Sequence, residues 1–498
     1  MSDILTRDLD ENIQTIFTLF GNCSDLSVRR LEAKGDIQFA ILFLNSIVEK
    51  EIIDEFVIKD MLSYVERYSG TKKVDMEYLE MAKGKVSTTQ LSTLHTIEEV
   101  IESLVKGMSI ILVNGHELVL AAGTEGNQRR TVSEPGSETV VRGSREAFNE
   151  SLQINLGLIR NRLRTHKLRI ETLTIGNLTN TPVSILYIED VAKPTIVDEV
   201  RNRLRRIQID GVMESLYLEE MIEDPHTYTP FPTIFNTERP DRIVAGMLEG
   251  RIAILTEGTP IGLLVPASIS LFLYSNEDYY QRFDISSFLK LLRTFTFLLS
   301  FIMPGFYVFL LTYHQEMIPT PLLIALTGQR EGVPFGIAIE VALMEITFEI
   351  LREAGIRLPK TIGAAVSIVG GLVLGQASVE AGLIGPGTVI TVSLTAIASF
   401  CTPSYNFAIA ARLIRFAFLL LSAILGAFGM MFGIIFLVIH MCSLRSFGIP
   451  YLTPMVPYHS SGWKDLFIRM PWWKMQMRPD EIAGKNANRM PKLNKWGR

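Results

Sequence analysis

Cysteine is scarce: Cys23, Cys401 and Cys442 are the only three in 498 residues. Odd in number and far apart, they exclude a disulfide framework and a CxxC metal site. A basic surplus is also missing. The net charge of −5 and a pI near 5.9 exclude a general nucleic-acid binder, which is basic. The seven histidines show no HExxH and no close pairing with acids, and each reads as a packing or hydrogen-bonding residue. No Walker A loop, GxSxG or GxGxxG opening a helix after a strand occurs, so a non-enzyme without cofactor or metal is expected. The start, MSDILTRDLDENIQ, lacks a basic segment followed by an apolar core. A signal peptide is therefore not expected, and the N-terminal half is expected on the cytoplasmic side.

Charge is also absent from long stretches, and this organises the chain. Residues 1 to about 250 mix acids, bases and apolar residues as a folded soluble region does. After Arg293, no Lys, Arg, Asp or Glu occurs in 294–315, 361–379, 381–411 or 416–444. Mean hydropathy is +0.25, high for a soluble protein. A spanning helix needs about 20 apolar residues, because only a helix satisfies its own backbone in hydrocarbon. Four spans are predicted, near 294–314, 362–383, 388–411 and 416–441, with Gly385-Pro386-Gly387 separating the second from the third. Lys290 and Arg293 before the first span and the basic tail after the last place both ends inside. Arg412 and Arg415 then fall outside, against the charge rule.

The soluble half alternates strands and helices. Residues 36–44 read as a buried strand, and 49–67 as a helix with Ile52, Phe56, Val57 and Met61 on one face. Thr96 and Glu99 form a capping box opening a helix to about Lys106. Residues 109–113 and 116–121 flank Asn114-Gly115, a type I′ turn signal. A linker is predicted over 123–144. Beyond it a second unit carries a basic helix at 145–165, strands near 169–175 and 183–189, and a helix at 195–207. Ile188-Glu189-Asp190 ends an apolar strand, as at a phosphate or metal site, but without a Gly-rich loop it reads as strand-end acids and helix capping. Residues 258–276, interrupted by Pro260 and Pro266, read either as an interfacial or re-entrant helix or as a buried strand and helix, with the membrane surface favoured. Residues 318–353 read as a half-buried helical hairpin.

The predicted architecture is thus an α/β soluble N-terminal region of two small subdomains followed by an all-α polytopic membrane domain. Its boundaries are 1–122, a linker 123–144, a second subdomain 145–285, a membrane domain 286–444 and a basic tail 445–498. The tail carries Trp463, Trp472, Trp473 and Trp496 among lysines and arginines, which suits a membrane-surface anchor or packing against the soluble half.

Two features point toward function. The second span sets Gly363, Ser367, Gly371 and Gly375 four apart, with Gly370, Ser378 and Gly382 alongside and Gln376 and Glu380 near one end. Such a stripe serves close packing within one subunit or a helix lining a shared pore. On the pore reading, Gly363, Val366, Ser367, Gly370, Gly371, Leu374, Gly375 and Ser378 are the lining and gate candidates. Ser422/Gly426 and Gly429/Gly433 in the fourth span read as packing. Glu340, Glu345 and Glu349 follow one helical face with Arg352 one turn on. They form either a solvated face with an internal ion pair or a vestibule of acids that concentrates cations.

Several long blocks resemble the GerA-type spore germinant receptor A subunit. They are 134–164 (EPGSETVVRGSREAFNESLQINLGLIRNRLR), 231–267 (FPTIFNTERPDRIVAGMLEGRIAILTEGTPIGLLVPA), 314–336 (HQEMIPTPLLIALTGQREGVPFG), 344–382 and 440–458 (HMCSLRSFGIPYLTPMVPY). The resemblance implies a subunit in the inner membrane of the bacterial endospore, acting with a transporter-like, nutrient-binding B subunit and a lipoprotein C subunit. It implies a homo-oligomer, a pentamer, forming a ligand-gated ion channel that triggers germination. The same family contains accessory members that promote germination without sensing a nutrient. A non-conducting scaffold therefore stays open as an alternative. A secondary transporter fits less well, because it would need inverted repeats around a polar midplane site.

Overall fold

The computed structural model describes residues 5–33, 37–59, 90–126, 135–136, 138, 140–225 and 228–490. The second part of the predicted helix at 49–67 (60–67), residues 127–134 of the linker and Trp496 lie outside them. Two compact units result: Met1–Glu223, Ile234–Pro266 and Gln476–Arg498 form one, and Asp224–Thr233 with Ala267–Met475 the other.

The first unit holds two five-stranded antiparallel sheets. One is built from β1 (Leu26–Ala33), β2 (Ile37–Leu44), β3 (Leu91–Leu94), β4 (Met108–Val113) and β5 (Val119–Gly123), in the order β1-β2-β4-β5-β3. Alternation places Phe39, Ile41, Ile111, Val113, Leu120 and Ala122 on a single face, under Ile53, Val57 and Ile58. Helix α1 (Leu9–Phe20) precedes this sheet, and α2 (Ile97–Val105) packs on β2 and β4. The expected capping box is present, with Thr96 accepting from the Glu99 amide and Glu99 from the Thr96 amide. The type I′ turn is not. Only Gly115 has positive φ, and five residues separate β4 from β5, whereas type I′ needs positive φ at both central positions.

The second sheet repeats the first. Its strands are β6 (Leu168–Ile175), β7 (Thr181–Ile188), β8 (Phe235–Thr237), β9 (Ile252–Thr256) and β10 (Gly262–Val265), in the order β6-β7-β9-β10-β8. Both sheets therefore run first-second-fourth-fifth-third. Each is preceded by a helix, here α3 (Leu152–Arg162), and each carries another before its fourth strand, here α6 (Pro240–Glu249). Helices α4 (Pro194–Arg206) and α5 (Ser215–Ile222) fill the long connection. The repeat extends to side chains. Asn12 in α1 accepts from the Thr6 amide and donates to the Thr6 carbonyl, and Asn155 in α3 does the same with Asn149.

The subdomains are joined by a buried pair: Arg160, fully buried in α3, holds both oxygens of Asp25 at 2.9–3.0 Å. Beside it burial pushes the Cys23 thiol up to about 12, so this cysteine is an inert packing group. Glu189 pairs with Arg169 and Asp190 with Lys167, as strand-end acids do. The end of the predicted linker is ordered, since Glu138 holds Thr237 and Arg242. Residues 258–276 correct the expected interfacial segment. Gly262–Val265 is a fully buried strand between β9 and β8, and Ile269–Leu273 (α7) is a short helix of the second unit. The two prolines bound the strand instead of breaking a membrane helix.

One carboxyl in this unit is costly. Glu219 in α5 is 5% exposed, and its one hydrogen bond, from Asn236, is long at 3.4 Å. Desolvation, reinforced by Glu223, Glu214 and Glu220, raises its pKa to about 7. A folded-state value above the unfolded one means stability that is full below pH 4.5 and lost as pH rises through 7. Glu219→Gln is expected to stabilise the full-length chain in detergent by about 3 kcal/mol at pH 8, and hardly at pH 4.5. An unfolding midpoint that differs equally from wild type at both pH values would refute this.

The second unit is helical: α8 (Phe283–Thr312), α9 (Thr320–Gly328), α10 (Ile337–Arg357), α11 (Lys360–Glu380), α12 (Pro386–Phe400) and α13 (Tyr405–Ser443). Among the described residues two helices, α8 and α13, are long and apolar enough to cross a membrane. The predicted third span ends early, because the chain leaves the helix at 401–404. The predicted fourth is not one helix. At Gly426 φ is 60° and ψ −137°, and the chain reverses. A Cβ on Gly429 would stand 2.1 Å from the Leu421 carbonyl, and one on Gly433 3.1 Å from Phe418. Such proximity needs the arms 405–425 and 427–443 to lie antiparallel. Gly305 of α8 closes against both, near Phe418, Ser422 and Met430. Ser422, Gly429 and Gly433 are packing positions, as expected, but Gly426, read as packing, is instead the residue at which the chain turns. At the base Phe407 stacks on Phe297 at 4.5 Å and Phe272 at 5.6 Å.

Candidate functional site

The vestibule candidates on α10 do not form a solvated face. Glu340 and Glu345 are fully buried, and all three vestibule candidates pair with arginines of the same chain. Glu340 takes Arg330 on one oxygen; the other accepts from the Gly385 amide at 3.0 Å and Thr388 at 3.2 Å. It thereby caps the start of α12, where free amides favour a negative charge. Glu345 pairs with Arg415, both side chains being at most 1% exposed. Glu349 pairs with Arg412 at 2.9 Å. One turn on, Arg352 stands 5.1 Å from the Phe400 ring centre and forms no ion pair among the described residues.

These pairs remove the charge-rule anomaly. Arg412 and Arg415 lie three apart on the first arm of α13, facing the acids spaced four apart on α10. Inside an apolar bundle a charge persists only when matched, and each arginine sits where its carboxylate is. In sequence the acids form a row on one helix and the arginines stand alone on another. Matched spacing on two apolar helices is the signal that connects them.

The small-residue helix α11 divides its stripe between neighbours. A Cβ on Gly363 would stand 2.5 Å from the Gly355 carbonyl, and one on Gly370 2.7 Å from Leu351. These two glycines therefore let α10 and α11 approach closely. Gly375 turns toward Val389 of α12. Gly371 has open space where a side chain would be, and Val373 and Leu374 are about half exposed. Val366, Ser367 and Ser378 lie on the same helix. One chain thus leaves Gly371, Val373 and Leu374 uncovered while Gly363 and Gly370 lie against α10.

In the tail, Trp472 packs on Tyr279, Trp473 on Phe283 and Trp463 on Tyr458. Residues 476–490 instead join the first unit, where Arg478 donates to the Leu248 carbonyl and Ala483 pairs with Ala192.

The family described as "Bacillus/Clostridium GerA spore germination protein" matches residues 14–481. The chain belongs to the GerA family. It is 40% identical to spore germination protein KA of Bacillus subtilis (strain 168) over 491 residues, 98% of this chain and 89% of that one. It is 35% identical to spore germination protein GerLA of Bacillus cereus, over 99% of both chains. The N-terminal domain of the A subunit of the Bacillus megaterium spore germinant receptor GerK3 is 33% identical, covering 53% of this chain and 96% of that one, with a TM-score of 0.42. As a GerA-family protein the chain is a spore germination protein, and the paired helices α10 to α13 are the part of it whose internal charge calls for a function.

Proposed function

We propose that this chain is the A subunit of a nutrient germinant receptor in the inner membrane of the endospore, not an enzyme. On this reading it works beside a transporter-like B subunit and a lipoprotein C subunit. Copies assemble around an axis, as a pentamer, into a ligand-gated ion-conducting pore with both chain ends on the core side. The observation that carries the reading, given the family, is the partly uncovered α11. Its small and apolar residues suit a narrow constriction that excludes ions by dewetting until neighbouring subunits widen it.

The geometry shapes the proposal in two ways. Gly363 and Gly370 meet α10, so the face about Gly371 and Leu374 is the better lining candidate, with Val366 and Ser367 remaining candidates from sequence and Gly375 and Ser378 at the end toward α12. Glu340, Glu345 and Glu349 act as an electrostatic frame for α12 and α13, with Glu349, 25% exposed, the one best placed to face an aqueous vestibule.

A gate balanced within a few kcal/mol responds to a small change in its apolar plug. Val366→Ala is expected to raise spontaneous germination several-fold without nutrient. Spores that carry it, stay dormant and respond normally remove Val366 from the gate. The decisive measurement is ion current in planar bilayers from the purified chain with its partner subunits. Current altered at Val366 or Gly371 supports the channel; silence from folded oligomers supports the non-conducting scaffold.

A further inference from the structure

Counting the charges between α10 and the first arm of α13 leaves a surplus. Glu345 and Glu349 bring two negative charges, and Arg352, Arg412 and Arg415 bring three positive ones. Arg352 is within electrostatic reach of Arg412, Arg415 and Glu349, so the five groups form one cluster. Its hydrogen bonding is short on the same side. Four buried donors have no partner among the described residues: Arg352 Nη1, Arg412 Nε, Arg415 Nε and Arg415 Nη2. Unpartnered acceptors number two, Glu345 Oε1 and Glu349 Oε1. Arg415 is 1% exposed, so its free donors point into the protein.

A guanidinium does not shed its charge inside a protein, and a buried charge without a counter-charge costs several kcal/mol. Donors outnumbering acceptors, with a net positive charge, match a bound anion better than water alone, which offers donors and acceptors equally. The guanidinium fork also suits planar carboxylates and compact halides. The cluster sits more than 10 residues from the Gly426 turn along the first arm, with Glu345 and Arg415 buried at its inner end and Arg352, Arg412 and Glu349 partly exposed. We propose that Arg352, Arg412 and Arg415 hold one small monovalent anion, a halide or the carboxylate of a small molecule, between α10 and α13. This site is independent of whether the protein conducts ions.

The test is equilibrium binding of [36Cl]chloride and of [14C]acetate to the full-length chain in detergent, with a bulky sulfonate buffer as the other anion. Saturable binding of one anion per chain is expected, and whichever of the two binds identifies the source. Arg352→Met removes the surplus charge without orphaning a carboxylate. It is expected to weaken binding at least ten-fold while elution and unfolding midpoint stay normal. Arg352→Lys, which keeps the charge, should retain most of the binding. Should Arg352→Met misfold, Glu349→Gln serves instead: it frees Arg412 from its partner and is expected to tighten binding several-fold. No saturable binding of either anion overturns the proposal. So does unchanged affinity in folded Arg352→Met, or unchanged or weaker affinity in Glu349→Gln.

Discussion

Glu345→Leu is expected to cost about 3–5 kcal/mol of stability, because it strands Arg415 as an unmatched buried charge. Arg415 is 1% exposed and Glu345 fully buried, so neither reaches water when its partner goes. The two halves of the pair are not equivalent. A carboxylic acid has an uncharged form available inside a protein, whereas a guanidinium does not. Arg415→Met is therefore expected to cost less than Glu345→Leu. The double variant Glu345→Leu/Arg415→Met is expected to recover most of the loss, since replacing a buried pair by apolar side chains is often neutral or stabilising. Recovery should stop short of complete, because Glu349 and Arg412 lie in the same network and couple to the change. Unfolding midpoints of the full-length chain in detergent read all three variants. A near-normal Glu345→Leu, or a double variant worse than both singles, would show that the pair does not hold the helices.

The outcome also bears on what the cluster is for. A pair whose apolar replacement restores stability is not there for stability, and its retention then points to specificity of packing or to the anion. If the restored double variant still binds chloride or acetate normally, Arg415 is not one of its holders.

What the sequence made legible follows from the range of the interactions involved. The Thr96–Glu99 capping box spans four residues and was visible directly. The apolar runs and the small residues Ser422, Gly429 and Gly433 were read as membrane-type packing, and they form the contact face of the α13 hairpin. Charge pairing was not legible, because Glu345 and Arg415 are 70 residues apart and nothing local marks them as partners. The repeated sheet was missed because it resides in strand order. The trace it leaves in sequence is slight: an asparagine four residues after Asp8 and again after Ser151, each bonding back six residues. The strand at 262–265 was misread because a fully buried strand is as apolar as an interfacial segment, and periodicity does not separate them. Asn114-Gly115 misled in the opposite direction, a strong turn signal placed in a loop too long for the tight turn.

Gly426 is the largest single feature that the sequence concealed, since glycine is common in membrane helices and does not punctuate them as it does soluble ones. Gly426→Ala is expected to abolish the α13 hairpin, the second large effect. At φ 60° and ψ −137° an L side chain is strained, by about 1–3 kcal/mol. The added methyl would also stand 3.1 Å from the Tyr313 ring, which cannot retreat freely because its hydroxyl donates to the Ala423 carbonyl at 2.7 Å. That bond serves a carbonyl which the break in the helix has left without an amide. The relaxed alternative is a continuous helix of 39 residues. It would run about 58 Å, nearly twice the hydrocarbon thickness, and would strip Gly429 and Gly433 of their partners. A chemical ruler separates the two forms. Ile414 and Leu437 line one cavity of about 300 Å³ in the hairpin. In a continuous helix they would stand about 34 Å apart. With Cys401 and Cys442 replaced by serine, Ile414→Cys/Leu437→Cys is expected to cross-link with a short bis-maleimide, and to stop doing so when Gly426→Ala is added. Tyr313→Phe should cost only about 1 kcal/mol and keep the cross-link, because it removes one hydrogen bond and leaves the backbone reversal intact. Cross-linking that survives Gly426→Ala at full yield would mean that the reversal does not depend on glycine.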